Sequence, residues 1–124
     1  MIGRLHAVVL DCPDAEVLAA FYAELTGLTR RPGSPSDWII LDGRDGEPRL
    51  CLQEVVGYRP PRWPDPGFPQ QMHLDVEVAD IGAAEPRVLA LGARLLQGGG
   101  GRNSGFRVYA DPAGHPFCLV WGQD

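Results

Sequence analysis

The sequence has few cysteines and no long apolar run. Its cysteines, Cys12, Cys51 and Cys118, are odd in number and lack the CxxC spacing. This set argues against a disulfide framework and indicates reduced thiols. No stretch approaches the roughly 18 consecutive apolar residues of a membrane-spanning helix. The start, MIGRLHAVVLDCPD, leads into an acidic, proline-bearing stretch without a small-residue cleavage site. We therefore expect a cytoplasmic protein without a membrane partner.

The sequence also lacks a cluster of basic residues. Its formal net charge is −5, and the sequence contains no stripe of basic residues. Both observations argue against a nucleic-acid partner. Hydrophobic residues make up 44% of the chain and charged residues 22%, as in ordinary globular proteins. We expect residues 1–124 to fold as one domain made of two fused halves.

The chain resembles itself when it is shifted by 67 residues. His6 then falls on His73, and Cys51 falls on Cys118. Chance could supply these two matches, so the evidence for an internal repeat is the set of aligned apolar positions. These pairs are Phe21 with Val88, Tyr22 with Leu89, Leu28 with Leu95, Leu41 with Val108, Leu50 with Phe117 and Leu52 with Leu119.

The repeat predicts two modules, residues 4–56 and 71–122, joined by a proline-rich linker at 57–70. Each module begins with a β-branched, apolar segment typical of a strand, LHAVVLDC or MHLDVEVA. A helical pattern follows, and then two or three short strands separated by Gly and Pro turns.

Strand alternation divides the side chains between two faces. His73, Asp75 and Glu77 share a polar face, while the apolar residues between them share the other. A polar inner face is costly in a small domain unless it is wet, paired or bound to a ligand, so we expect a lined cleft.

The same alternation places Cys51 with Arg49 and Gln53, and separates Cys118 from its neighbours Phe117 and Leu119. If the two halves curl together, the four residues of the repeat would converge about a pseudo-twofold axis. These are His6, Cys51, His73 and Cys118.

Several motifs together resemble the vicinal oxygen chelate superfamily, the glyoxalase and bleomycin-resistance group. They are AAFY with LTGL, LGA after the second helical pattern, and the turn DPAGHPF. The resemblance implies an α+β fold of two tandem βαβββ modules, whose curved mixed sheets surround a cleft. It also implies a divalent metal, held by side chains from the first and last strand of each module.

Carried onto this sequence, the family's first-strand metal ligands fall on His6 and His73. Its last-strand ligands, usually Glu, fall on Cys51 and Cys118. A thiol is a poor substitute for the carboxylate that moves a proton in glyoxalase I. The two His and one carboxylate of extradiol dioxygenases are also not supplied at these positions. Neither reaction can be assigned.

Two interpretations of the His and Cys quartet remain open. Two imidazoles and two thiolates form a good tetrahedral zinc set, but four protein ligands would close the site to a substrate. Alternatively, the small apolar cysteines fill the space of the family's Glu side chains, and the histidines are hydrogen-bonded in the cleft. The first interpretation implies a divalent metal cofactor, zinc or another, and the second implies none.

Further residues are candidates for the chemistry. Asp75 and Glu77 are possible catalytic proton acceptors, or else they pair with Arg49 or Arg107. The remaining candidates for a substrate pocket are Trp38, Gln53, Arg107 and Tyr109, for whose aromatic members packing is the alternative.

Two loops carry weaker signals. The glycines at 98–101 predict a mobile hairpin or cleft-edge loop, with a backbone anion clasp as the alternative. His115 lies in the DPAGH turn, where we expect it to be exposed to solvent.

Three functions remain compatible with the sequence. The first is a metal-dependent lyase or isomerase acting on a small oxygen-rich substrate. The second is a non-catalytic protein that sequesters a small molecule such as an antibiotic, and the third is an interaction module. We expect a homodimer or a tightly fused monomer, because the open edges of two sheets need covering.

Overall fold

The structure, a computed structural model, describes residues 1–45 and 47–123. The chain divides into two compact units, Met1–Tyr58 and Arg59–Asp124. Unit 1 contains β1 (Ala7–Cys12), α1 (Ala15–Thr26), β2 (Thr29–Arg30), β3 (Trp38–Asp42) and β4 (Arg49–Glu54). Unit 2 contains β5 (Leu74–Glu77), α2 (Ile81–Ala90), β6 (Arg94–Gln97), β7 (Gly105–Ala110) and β8 (Pro116–Trp121).

Each unit builds one mixed, four-stranded sheet. The strand order is β1-β4-β3-β2 in unit 1 and β5-β8-β7-β6 in unit 2. In both sheets the first and last strands of the unit pair in parallel, and the other neighbours pair antiparallel. The helix provides the crossover that parallel pairing requires. The predicted α+β class and the two tandem βαβββ modules are confirmed.

The core of unit 1 lies between its helix and one face of its sheet. Ile39 and Leu41 of β3 lie opposite Leu52 and Leu50 of β4, and paired residues project to the same face. All four are nearly or fully buried, as are the inward residues of α1, which are Ala15, Leu18, Ala19, Phe21 and Tyr22. Cys51 projects to the opposite face.

Unit 2 has the same two-faced organisation. Tyr109 stacks on Phe117, its partner across the β7–β8 ladder, with the ring centroids 5.6 Å apart. Leu119 is fully buried on the same face, and Val88 of α2 is buried as well. Cys118 therefore projects away from the face that carries Tyr109.

The two helices begin at matching aspartates. Asp14 accepts a hydrogen bond from the Val17 N–H, and Asp80 accepts from the N–H groups of Gly82 and Ala83. A carboxylate at this position satisfies backbone donors that the first turn leaves unpaired. The two caps are equivalent positions of the repeat, and they are 66 residues apart.

The repeat therefore does not follow one uniform shift. Cys51 lies opposite Val9, whereas Cys118 lies opposite Asp75. Val9 and Asp75 are 66 residues apart, as the helix caps are, while the last strands remain 67 apart. Unit 2 thus has one more residue than unit 1 between the last-strand cysteine and the first-strand residue that lies opposite it.

This extra residue changes which first-strand position matches His73. At a shift of 66 the counterpart is Ala7, so the expected superposition of His6 on His73 is wrong. A displacement by one residue along a strand reverses the face to which a side chain projects.

The proline-rich segment predicted as a linker is built into unit 2 from Arg59 onward. Pro60 packs so closely on the 111–114 turn that a Cβ added to Gly114 would lie 2.7 Å from the Pro60 Cβ. The Trp63–Pro64 peptide bond is cis. This segment therefore forms part of the surface of unit 2.

The glycine-rich stretch at 98–101 forms a packed hairpin connection. A Cβ on Gly100 would clash with the Trp121 ring. The Trp121 indole N–H donates to the Gly101 carbonyl at 3.0 Å, and the Arg107 Nε donates to the Gly99 carbonyl at 3.0 Å. The predicted hairpin is confirmed by the antiparallel pairing of β6 with β7, whereas its mobility stays a prediction. Its glycines admit the indole ring.

Candidate functional site

Three potential metal ligands meet on the sheet of unit 2. One ligand atom from each of His73, Asp75 and Cys118 lies within 4.8 Å of the other two. Asp75 and Cys118 are paired across β5 and β8, and His73 precedes Asp75 by two residues, which gives it the same face. His73 Nε2 lies 3.3 Å from Asp75 Oδ1.

The environment of Cys118 favours the protonated thiol. Burial, followed by the negative charge and the hydrogen bond of Asp75, raises the pKa of Cys118 to about 11. Cys118 is 7% exposed, while the His73 and Asp75 side chains are 43% and 58% exposed. The cluster therefore has a buried sulfur at its base and two ligands open to solvent.

The donor set fits a divalent metal such as zinc. Imidazole nitrogen, carboxylate oxygen and thiolate sulfur are the ligands zinc uses, at about 2.0–2.3 Å. In a tetrahedral site, two atoms bound to one such ion lie about 3.3–3.6 Å apart, so ligand atoms up to 4.8 Å apart would need to approach each other by up to about 1.5 Å. A bound cation would also replace the proton of the Cys118 thiol.

Unit 1 has a different cluster on the corresponding face. Arg31 donates two hydrogen bonds to the Asp42 carboxylate, at 2.8 and 2.6 Å, and Arg49 donates one at 3.1 Å. The hydrogen bonds and charge of Arg31, with a smaller contribution from Arg49, lower the pKa of Asp42. Burial raises the pKa of Cys51 against the opposing effect of the two guanidinium groups.

His6 contacts Arg49 rather than another potential metal ligand. The Arg49 Nη1 lies 2.8 Å from His6 Nε2 and 3.3 Å from Nδ1. A guanidinium can only donate, so the nearer ring nitrogen accepts and its lone pair is occupied. The convergence of His6 and Cys51 with His73 and Cys118 stays a prediction.

The comparison with protein families then decides the relationship. A model of the glyoxalase-like domain matches residues 7–120. The chain belongs to this family.

Solved structures agree with this glyoxalase-like domain in fold. A glyoxalase/bleomycin resistance protein/dioxygenase family enzyme from Burkholderia phytofirmans PsJN is 15% identical, with a TM-score of 0.75 over 98% of this chain and 100% of its own. The fosfomycin resistance protein FosX from Listeria monocytogenes is 16% identical, with a TM-score of 0.74 over 100% and 94%.

A lactoylglutathione lyase from Agrobacterium tumefaciens is 21% identical, with a TM-score of 0.62 over 97% of this chain and 94% of its own. At such identities the likeness concerns the fold alone. A search of curated proteins gives no match.

Two residues predicted for the substrate pocket of the glyoxalase-like domain share the face of Cys51. Trp38 is half-buried and lies opposite the exposed Gln53, which is two residues after Cys51 and so projects the same way.

The other two predicted pocket residues lie on the opposite face of the unit 2 sheet from Cys118. The Tyr109 hydroxyl donates to Glu85 of α2 at 2.5 Å, and Arg107 Nη1 donates to the same carboxylate at 2.7 Å. The predicted alternative, Arg107 pairing with Asp75 or Glu77, is wrong because α2 supplies its carboxylate. These two residues join the helix to the sheet.

The 111–115 turn contains a pair that the sequence analysis missed. His115 is not the solvent-exposed residue we expected, because its side chain is 16% exposed and its Nδ1 lies 2.7 Å from the fully buried Asp111 carboxylate. Asp111 also accepts from the N–H groups of Ala113 and His115. The spacing of Asp and His by four residues around Pro and Gly was the available signal.

In residues 1–45 and 47–123, neither helix is long and apolar enough to cross a bilayer.

Proposed function

We propose that the protein is a metal-dependent lyase or isomerase acting on a small oxygen-rich substrate, with zinc as the preferred metal. The observation that carries the proposal is the His73, Asp75 and Cys118 cluster, with ligand atoms within 4.8 Å. Three protein ligands leave a coordination position for substrate or water, as in catalytic zinc sites. The fourfold set with His6 and Cys51 would close that position.

The metal supplies Lewis-acid polarisation of a substrate oxygen when it is bound. His73 and Asp75 contribute ligands from the solvent-exposed side, so they define where substrate enters. Cys118 contributes the buried ligand and fixes the cluster to β8. Together these residues orient a substrate over the open face of the β5–β8 pair.

Glu77 is the proposed proton acceptor. It follows Asp75 by two residues on β5 and is exposed on the same face. With Asp75 engaged as a ligand, Glu77 is the next carboxylate along this strand. A positioned carboxylate can remove a proton beside a polarised carbonyl, which is the step shared by isomerases and lyases of such substrates.

The experiment compares metal-loaded and metal-free enzyme. Protein purified without an affinity tag is analysed for metal content, and then assayed for isomerase and lyase turnover on hemithioacetals and on vicinal hydroxy-carbonyl compounds. The proposal expects turnover that chelation abolishes and zinc restores, with Glu77→Gln lowering kcat by about 100-fold or more. Equal turnover with and without metal would overturn it.

A second candidate is metal-free sequestration of a small molecule such as an antibiotic. The raised pKa of Cys118, to about 11, favours it, because a protonated thiol is not a metal ligand. The two candidates differ in metal content: sequestration predicts ligand binding that is unchanged by a chelator and no turnover of any ligand.

The assembly and the location stay predictions. A homodimer would appear in light scattering as twice the mass of the 124-residue chain. A monomeric mass that does not change with concentration would leave only the fused-monomer alternative.

A further inference from the structure

Unit 2 contains a concave site whose lining includes none of the three potential metal ligands. Its volume is about 600 Å³, within the range of cavities that bind small molecules. Its lining comes from the proline-rich segment, the start of β6 and the 111–115 turn. The lining residues are Pro60, Pro61, Arg62, Trp63, Gly92, Arg94, Leu96, Ala110, Asp111, Pro112, Ala113 and Gly114.

Most residues of this lining are of apolar type, and three of them are conformationally restricted prolines. Prolines at 60, 61 and 112 have fixed φ angles, and Pro60 packs against the Gly114 backbone. Trp63 adds a flat indole surface, and Leu96 adds an aliphatic one. Such walls suit a planar or aliphatic body, which loses little when it leaves water.

The charged groups of the lining are two arginines and one aspartate. The Asp111 carboxylate is already occupied by two backbone N–H donors and by His115. It is buried as part of the turn, so it offers a ligand little of its negative charge.

The two arginines have no such neutralising partner. Across residues 1–45 and 47–123, neither Arg62 nor Arg94 forms an ion pair, and both side chains are exposed. The Arg62 guanidinium carbon lies 4.5 Å from the Phe68 ring centroid, which orders this side chain while leaving its N–H donors available. The site is thus positive in a chain whose net charge is −5.

We propose that this cavity binds a small aromatic carboxylate. The guanidinium donors of Arg94 and Arg62 match the geometry of a carboxylate, and the indole of Trp63 offers a stacking surface for the ring. A cationic ligand is disfavoured because both free charges of the lining are positive. None of His73, Asp75 and Cys118 lines the cavity, so this binding does not require the metal.

The test uses 2-naphthoate as the probe and 2-naphthamide as its neutral match, with affinity measured by titration calorimetry in the presence of a chelator. We expect the carboxylate to bind at least about tenfold more tightly than the amide, since charge-assisted hydrogen bonds are the stronger ones. Amide resonances of Gly92 and Gly114 should shift on titration, which locates the probe.

Matched variants separate charge from ring contact. Arg94→Gln should weaken naphthoate binding about tenfold and leave naphthamide unaffected, while Arg102→Gln, an exposed arginine outside the cavity, should change neither. Trp63→Ala should weaken the binding of both probes, whereas Trp63→Phe should retain most of the affinity. Nuclear magnetic resonance spectra of each variant establish that it is folded.

Three outcomes would overturn the proposal: equal affinity for the two probes, an Arg94→Gln variant that binds naphthoate like the parent, or loss of binding on chelation. The last would place the probe at the metal cluster instead. Binding that persists with chelator supports the cavity whether or not the metal-dependent activity exists.

Discussion

Asp75 lies directly opposite Cys118 in the parallel register of β5 with β8. In unit 1 the residue opposite Cys51 is Val9, so the last-strand cysteine of that unit has no carboxylate directly opposite it. His73 shares the face of Asp75 and Cys118 and completes a set of nitrogen, oxygen and sulfur ligands. A one-residue difference between two copies of a module thus gives unit 2 a candidate metal site.

Zinc should stabilise the protein through Cys118 and not through Cys51. At about a hundred times its Kd, zinc should stabilise the folded state by about 2.7 kcal/mol, a rise in Tm of roughly 10 °C. Cys118→Ala should abolish this shift in differential scanning calorimetry. Cys51→Ala, which removes the equivalent thiol of the other unit, should retain it. Loss in both variants would instead support the four-residue site.

Zinc binding should strengthen as pH rises. The pKa of Cys118 is about 11 without metal, so binding must release the thiol proton at neutral pH. Each released proton changes the apparent affinity by up to tenfold per pH unit, and competition titrations between pH 6.5 and 8.5 should show this slope. A pH-independent affinity would mean that the sulfur is not a ligand.

The metal-free protein should lose stability at alkaline pH because of the same thiol. Since the folded pKa of Cys118 is raised from 9.0 to about 11, its contribution is complete below pH 9 and is lost as pH rises toward 11. Chemical denaturation should show a steeper decline over this window in the parent than in Cys118→Ala. Parallel pH profiles would contradict the buried thiol.

The hydrogen bonds between α2 and β7 should make the free energy of unfolding depend on pH in the acid range. The hydrogen bonds of Tyr109 and then Arg107 lower the pKa of Glu85, so this carboxylate stabilises the fold above about pH 4.5 and the effect fades as pH falls through the lowered value. Glu85→Gln should cost about 1–2 kcal/mol at pH 7. Glu24→Gln, on an exposed position of α1, should stay within about 0.5 kcal/mol, and its pH profile should match the parent.

Gly100 and Gly99 provide a test of the packing around Trp121. Both have positive φ angles, 92° and 109°, but only at Gly100 would a Cβ meet the indole ring. Gly99→Ala should cost about 1–2 kcal/mol from backbone strain, and Gly100→Ala should cost about 1–3 kcal/mol more from overpacking. Equal losses of unfolding free energy would mean that the ring moves aside.

The sequence allowed the fold to be predicted more fully than the site. Hydrophobic periodicity and the repeat gave both modules, because strands and helices record their burial in residue spacing. The shift of 67 hid the extra residue in unit 2, although the helix-capping aspartates Asp14 and Asp80 carried the correct spacing of 66.

The site depended on registers that alternation alone does not supply. Alternation placed Asp75 with His73 correctly, but pairing with Cys118 required the β5–β8 register. Likewise, the faces of Arg107 and Tyr109 followed from the β7–β8 register and from the contact with Glu85. Such contacts between distant segments are set by tertiary packing, which a local pattern does not encode.

The most direct test of the proposed metal site is the absorption spectrum of the cobalt(II)-substituted protein. Cobalt adopts zinc sites, and its bond to a thiolate gives a charge-transfer band in the near ultraviolet. The band should appear at one equivalent of cobalt in the parent and persist in Cys51→Ala. It should disappear in Cys118→Ser. The affinity for cobalt should also fall in His73→Ala. A parent protein without the band, or a band that depends on Cys51 and not on Cys118, would contradict the metal site of unit 2.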